Sequence, residues 1–425
     1  MSTLKITGSR KPININYVDF AQGSKNAALP VFGASLLFNG QLLIDNVPNI
    51  SDVQNIFKLL REINVSFGYD NNAFIKLATN KINPAEITLS ADFFKTRGGF
   101  YLVAALINKC RKIKIKKYSI AGCRIGVRAY DNILRVFNVF GFQIKIVAGD
   151  IIIKKKRDYY GEKISLNDLG ICASGVALIL AAQFKVKTNL VGSSKAPELN
   201  DLINFLRSNG IAIKRYQNSD LLVYKNNSAW PCNSFKIQDD RIVIATYAIL
   251  ALLSGGYFKI KTSKLKYLDS FIKFLRDSGC IIWNGLEDGV TIFLPGKKMR
   301  ANDLVVDDYP KIPTDIQPIL TVFLCALKGR ATICDLIFPE RNFHVKQLQR
   351  MGQNIKNRDG QIVINGNNKF IAGKVRGHDL RCGAALILAA CVARGTSEIS
   401  DWEYVGRGYE KLLDIVVQNR RLIIV

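Results

Sequence analysis

A set of cationic side chains stands just ahead of segments that read as helices. Lys25 and Asn26 open "GSKNAALP", Arg97 lies in "KTRGGFYLVAAL", and Arg381 lies in "HDLRCGAALIL". Arg341 in "FPERNFHV" and Arg407 in "VGRGYE" precede amphipathic segments in the same way. Backbone N–H groups at helix starts already favour anions, so added cations suit a phosphate or a carboxylate. Asp315, in "PKIPTDIQPIL", precedes another apolar segment and reads either as a helix cap or as an acid–base group. Cys123 lies in the Gly-punctuated "IAGCRIGVRAYD", with Arg124 one residue on and Arg128 five residues on. Guanidinium charge beside a thiol lowers its pKa and makes the thiolate available. Taken singly, Lys25 and Asn26 are a cap, an arginine beside a helix start is a surface residue, and a cysteine is a small apolar filler. Taken together, the set suits a dianionic phosphate plus a carboxylate, with one acid–base group and one reactive thiol.

The elements that carry these residues recur. An acid or polar residue, an amphipathic helix, a glycine and a strand follow one another in "DVQNIFKLLREINVSF" (52–67), "DNILRVFNVFGFQIKI" (131–146) and "DLINFLRSNGIAIKR" (201–215). The pattern returns in "DSFIKFLRDSGCIIW" (269–283), "HVKQLQRMGQNIK" (344–356) and "GYEKLLDIVVQNRRLIIV" (408–425). Gly141, Gly210, Gly279 and Gly352 end the middle copies at intervals of 69, 69 and 73 residues. Glycine is expected there because the residue after a last helical turn often takes positive φ. Between these copies run segments apolar nearly all round, such as "YLVAALINKC" (101–110) and "AILALLSGG" (248–256), as expected of buried helices. Six α+β units of about 71 residues result. Two domains of three units each fit a chain of 425 residues better than one core does.

The composition narrows the partners. The net charge of +26 favours an anionic ligand. The densest basic runs, "KCRKIKIKK" (109–117) and "KKKR" (154–157), read as solvated faces, the first as a strand with Lys and Ile alternating. No zinc-finger, RRM or KH signature supports a nucleic-acid partner. Nine scattered cysteines without a CxxC pair argue against a disulfide framework or a zinc site. The start "MSTLKITGSRKP" lacks the apolar core of a signal peptide, and no apolar run is long enough to span a bilayer, so a cytoplasmic protein without membrane contact is expected.

"GSKNAALP", "NVPNISDV", "AGCRIGVR", "PELNDL", "PTDIQ", "HVKQLQRMG", "DLRCGAALILA" and "GRGYE" follow one another through the whole chain. In order and spacing they resemble the UDP-N-acetylglucosamine enolpyruvyl transferases, within the enolpyruvyl transferase superfamily. The resemblance implies a two-domain inverted α/β barrel with three repeats per domain. One domain would span residues 25–237, the other 1–24 plus 238–425, with hinges near Gly23 and "FKIQDD" (235–240) and the active site in the cleft between them. The implied reaction adds the sugar 3-hydroxyl to C2 of phosphoenolpyruvate, protonates C3 and expels phosphate; it needs no cofactor and no metal. By the same resemblance, Lys25, Arg128 and Arg407 hold phosphoenolpyruvate, while Arg97 and Arg341 support the anions. Arg381 helps close the domains, Asp315 acts at the sugar hydroxyl, and Cys123 acts as general acid or assists phosphate release. Asn26 contacts the sugar, and Asp131 and Ile337 complete the substrate-binding set. The chain departs from the family where "GICASG" (170–175) replaces the loop that meets the diphosphate. It departs again where Val243 replaces a glutamate, Ala129 a proline and Pro339 a polar residue. These changes leave open an enolpyruvyl transferase with another nucleotide or alcohol acceptor, or an inactive anion-binding descendant. Retention of Lys25, Cys123, Asp315 and Arg407 together argues against the inactive form.

Overall fold

Apolar residues at a period of two, bounded by turn residues, make strands that bury one face; near-continuous apolar runs make helices buried all round. Both recur along the computed structural model, which describes residues 2–69, 75–78, 85–116, 130–216, 219–225, 234–285, 289–366 and 369–425. Six four-stranded sheets result, all of one design. In each, two strands pair in parallel, a third adds antiparallel to the second of them, and a fourth adds antiparallel to the third. The second repeat is typical: Glu86–Leu89 lies parallel to Lys112–Ile115, which pairs antiparallel with Asp150–Lys155, which pairs antiparallel with Phe142–Val147. One buried helix links the parallel strands and one amphipathic helix follows them, here Gly99–Leu106 and Asp131–Val139. The expected sixfold α/β repeat is therefore the architecture of the chain.

The repeats fall into two compact units. One comprises residues 23–116 and 130–238, the other residues 2–22 and 239–425. Each has its own continuous apolar core built on three buried helices. In the first unit these are Lys25–Ser35, Gly99–Leu106 and Gly170–Ala181. In the second they are Arg241–Ser254, Gln317–Ala326 and Leu380–Val392. The N-terminal residues complete two sheets of the second unit. Ile15–Asn16 lies parallel to Phe258–Lys261, and Thr3–Thr7 pairs antiparallel with both Thr396–Ser400 and Arg421–Ile424. The first unit is closed by its own last strand, Ser234–Lys236, parallel to Gln41–Asp45.

Gly141, Gly210, Gly279 and Gly352 have φ between 80° and 89°, the left-handed conformation expected of a residue that ends a helix. Gly23, where the chain passes into the first unit, has a different reason to be glycine. A Cβ there would stand 1.7 Å from the Asn46 carbonyl oxygen. Each unit pins the chain where it enters and leaves. Ser24 N–H donates to the Gln238 carbonyl at 2.8 Å in the first, and Asp240 N–H donates to the Gln22 carbonyl at 2.9 Å in the second.

Three local expectations change. "ASLLFNG" (34–40), an apolar segment that by itself reads as the first buried helix, is only the exit of a helix that begins at Lys25, contains Pro30 and ends at Ser35. "GICASG" is not a loop but the opening of the helix Gly170–Ala181, because the apolar run behind it propagates helix back to Gly170. Val243 lies in the first turn of Arg241–Ser254 and is fully buried, so the helix there has packed an apolar side chain where the family resemblance leads one to expect a carboxylate.

Candidate active site

In the second unit, three of the singled-out residues meet directly. Asp315 sits in the short 3-10 turn Thr314–Ile316, which leads into the buried helix Gln317–Ala326. Its carboxylate is gripped from two sides: Arg341 Nη1 donates to Oδ1 at 2.9 Å and Arg381 Nη2 donates to Oδ2 at 3.0 Å. Both arginines are 4% exposed, which gives these charge-assisted bonds a weakly screened setting. Burial alone would pull the Arg381 pKa down. The Asp315 carboxylate, helped by Asp240, outweighs it and holds the group above its ordinary value.

The surrounding chain fixes this triad. Asp379 caps the Leu380–Val392 helix, accepting from the Arg381 and Cys382 N–H groups at 2.8 and 3.1 Å, and so sets the backbone that carries Arg381. Arg341 Nη1 also donates to the Thr314 carbonyl. The Thr314 hydroxyl donates to Asp335 Oδ2 at 2.6 Å, and Asp335 Oδ1 accepts from the N–H groups of Ile337 and Phe338 at 3.0 and 2.8 Å. One buried carboxylate thereby ties the Thr314–Asp315 turn to the segment that carries Ile337. Burial raises the Asp335 pKa above the usual carboxylate range, offset by these donors and by Arg341. Among the described residues, Arg341 Nε is buried without a hydrogen-bond partner. Behind it, burial and the Arg341 charge push His344 down to about 3. Its Nε2 lies 3.2 Å from Thr321 Oγ1, whose proton goes to the Gln317 carbonyl at 2.9 Å, so Nε2 is the protonated nitrogen and the donor.

Arg407 is the last residue of the 3-10 helix Trp402–Arg407 and is half-buried. The strand of chain after it is held by Gln22, which is buried. Gln22 Nε2 donates to the Gly408 carbonyl and Gln22 Oε1 accepts from the Glu410 N–H, each at 2.9 Å.

The first unit carries Lys25, Asn26, Arg97 and Asp131. Lys25 is the first residue of its helix and Ser24 makes no side-chain cap, so the reading of this stretch as a plain cap does not describe it. Lys25 Nζ instead pairs with Asp52 Oδ2 at 3.1 Å, both largely buried. Asn26 is half-buried on the same first turn. Arg97 is half-buried two residues before Gly99–Leu106, where its charge acts on Tyr101 and on the half-buried Cys172. Burial raises the Cys172 thiol, while the Tyr101 hydroxyl and Arg97 draw it back. Asp131 is exposed in the first turn of Asp131–Val139. Cys123, Arg124, Arg128 and Ala129 lie outside the described residues.

Sequence reasoning missed Asp52, Asp335, Gln22 and Tyr409. Asp52 and Tyr409 stand inside recognised motifs, "NVPNISDV" and "GRGYE", and could have been singled out there. Gln22 and Asp335 carry no sequence signal, since only the fold brings them to their partners.

With that geometry in place, the comparisons with known proteins are informative. The family model for EPSP synthase (3-phosphoshikimate 1-carboxyvinyltransferase) matches residues 18–416. UDP-N-acetylglucosamine 1-carboxyvinyltransferase from Clostridium botulinum is 31% identical, over 97% of this chain and 97% of its own. The protein of that name from Pelagibacter ubique is 32% identical, over 92% of each chain. Among solved structures, the enolpyruvyl transferase NikO from Streptomyces tendae superposes with a TM-score of 0.88 at 19% identity, covering 100% of this chain and 99% of its own. EPSP synthase from Acinetobacter baumannii superposes with a TM-score of 0.76 at 14% identity, covering 100% of both chains. The structural matches establish the shared fold, and the full-length sequence matches establish descent: this chain belongs to the enolpyruvyl transferase family, as a divergent relative of the UDP-N-acetylglucosamine 1-carboxyvinyltransferases.

Proposed function

We infer that the protein transfers the enolpyruvyl group of phosphoenolpyruvate to the 3-hydroxyl of UDP-N-acetylglucosamine and releases phosphate, the first committed step of peptidoglycan synthesis. The observation that carries this reading is the full-length likeness to enzymes of that name, joined to an Asp315–Arg341–Arg381 network of the kind the chemistry needs. The bond from the sugar oxygen to C2 forms, C3 gains a proton, the C2–O bond to phosphate breaks, and C3 gives up a proton to restore the vinyl group.

In this reading Asp315 takes the hydroxyl proton. Cys123 donates at C3 or assists phosphate release. Lys25, Arg128 and Arg407 hold phosphoenolpyruvate, Arg97 and Arg341 support the anionic groups, and Asn26, Asp131 and Ile337 contact the sugar nucleotide. Fixed cations lower the energy of a highly charged intermediate more than mobile ones do, because they need no reorganisation. An arriving anion would compete with Asp315 for the guanidinium groups of Arg341 and Arg381, loosening the carboxylate for proton transfer as substrate binds. The catalytic set draws on both units, so turnover would require their closure about the chain crossings at 22–23 and 238–239. We place the reaction in the cytoplasm, where its thiol would stay reduced.

Phosphate release from phosphoenolpyruvate, measured with and without UDP-N-acetylglucosamine, tests the reaction. Release only when both substrates are present is the expected result; no release with that acceptor overturns the reading. Small-angle scattering tests closure, with a fall in radius of gyration expected on adding the sugar nucleotide.

A further inference from the structure

Tyr409 lies two residues beyond Arg407 and is 4% exposed. Its hydroxyl stands 3.2 Å from Arg381 Nη1 and 2.9 Å from Thr246 Oγ1. The direction of these bonds follows from proton counting. Thr246 is fully buried on the Arg241–Ser254 helix, and its hydroxyl donates to the Ile242 carbonyl at 2.8 Å. Thr246 has one proton and has spent it. Tyr409 must therefore donate to Thr246 Oγ1, which leaves the phenolic oxygen as acceptor for Arg381, a donor-only group. The chain of donation runs from Arg381 through Tyr409 and Thr246 to the Ile242 carbonyl, while the other arm of Arg381 reaches Asp315. Burial raises the Tyr409 pKa, so the phenol keeps the proton this order needs. The backbone on either side of Tyr409 is held as well, by the two Gln22 side-chain bonds to Gly408 and Glu410.

A buried tyrosine needs a hydrogen-bond partner in any case, and Thr246 alone would serve. What packing does not require is that the second bond go to Arg381, which also grips Asp315. We propose that Tyr409 is a positioning residue for the reaction: it fixes the Arg381 guanidinium, and through it the Asp315 carboxylate, in the orientation used for proton transfer. This rests on the enolpyruvyl transfer reading above. Tyr409 touches no reacting atom; it acts through Arg381.

The test compares wild type with Tyr409→Phe, which keeps the ring, and with Thr246→Val and Thr246→Ser. Tyr409→Phe should lower kcat for phosphate release about ten- to a hundredfold, the usual worth of a hydrogen bond to a charged group. KM for both substrates should stay within about twofold, because the loss is one of orientation rather than of binding. Thr246→Val should act in the same direction, and Thr246→Ser, which keeps the hydroxyl, should restore the rate. In an Arg381→Lys background, Tyr409→Phe should change kcat by less than about twofold, since the group it positions is gone. An equal loss in both backgrounds would mark a merely structural role and overturn the proposal, as would an unchanged kcat in the single variant. If the wild-type protein itself releases no phosphate, the reaction assignment has failed. Crystal structures of the unliganded wild type and Tyr409→Phe then decide the positioning claim separately. Loss of the Arg381–Asp315 contact in the variant supports it, and its retention at about the same distance overturns it.

Discussion

The two units hold their cations in different ways. In the second, Arg341 and Arg381 are buried, share one carboxylate, and are themselves braced by Thr314, Asp379 and Tyr409. Among the described residues of the first, Lys25 pairs with Asp52, and Arg97 is half-buried beside Tyr101 and Cys172. A group held by several buried bonds keeps its direction without ligand, whereas a lysine ammonium in an ion pair can exchange its carboxylate for an arriving anion. Under the proposed reaction, the Asp315–Arg341–Arg381 network of the second unit would be held in place before substrate arrives.

Asp315→Asn should break this contrast most severely. Loss of the proton acceptor should cost about 10²–10⁴ in rate. Phosphate release measures that loss. The same change strands two buried guanidinium groups, so chemical denaturation should show a stability loss as well. Breaking a buried pair typically costs about 3–5 kcal/mol, and the low end applies because the Asp315 side chain is 27% exposed. Arg407→Ala should separate the two effects. Removing one charge-assisted contact to the reacting anion costs about 2.7–4 kcal/mol of transition-state stabilisation, about 10²–10³ in rate. Its half-buried side chain belongs to the outer layer, so the melting temperature should move by only a few degrees. Near-normal turnover would show that Arg407 holds no reacting group.

A third outcome concerns the thiols. Burial pushes Cys110 up to about 11 and Cys280, Cys325 and Cys391 up to about 12, and raises Cys382 as well, so these five are poor nucleophiles at neutral pH. Cys123, with Arg124 and Arg128 near it in sequence, should take most of the label from a phosphonate epoxide, as read by peptide mass mapping. Labelling spread evenly over the cysteines would remove Cys123 from the chemistry. A fourth outcome concerns the pH dependence of stability. His344 titrates near 6.5 when unfolded and near 3 when folded, because burial and Arg341 disfavour its charged form. Between those values the unfolded chain binds the extra proton, so stability rises with pH and is lost as pH falls from about 6.5 towards 3, by at most about 1.4 kcal/mol per pH unit. His344→Gln should flatten that slope in urea titrations. An unchanged slope would show that His344 is not buried and neutral behind Arg341.

Much of the fold was legible because it repeats. A glycine that ends a helix at positive φ leaves the same mark each time, and intervals near seventy residues expose the period without any contact being known. "KIKI" at 112–115 read as a one-faced strand, and Ile113 and Ile115 are indeed buried while both lysines reach solvent and pair with Glu86 and Asp150. Helix starts were less legible. Pro30 and the glycine-rich opening at 170 obscured helices that are held by the packing of their apolar faces rather than by local propensity.

The sequence by itself determined which residue types stand at each helix start, the sixfold period, and the family, because these depend on order along the chain. It could not decide whether Asp315 caps a helix or faces a charge, since both roles ask for the same side chain at the same position. The tertiary structure decided it by bringing Arg341 and Arg381, 26 and 66 residues away, onto the two carboxylate oxygens. Gln22 likewise meets the backbone of Gly408 and Glu410 only when separate repeats pack together, and Thr314 meets Asp335 only when one repeat folds back on itself. Such pairings reflect distance in space, and a period along the chain carries no record of that distance.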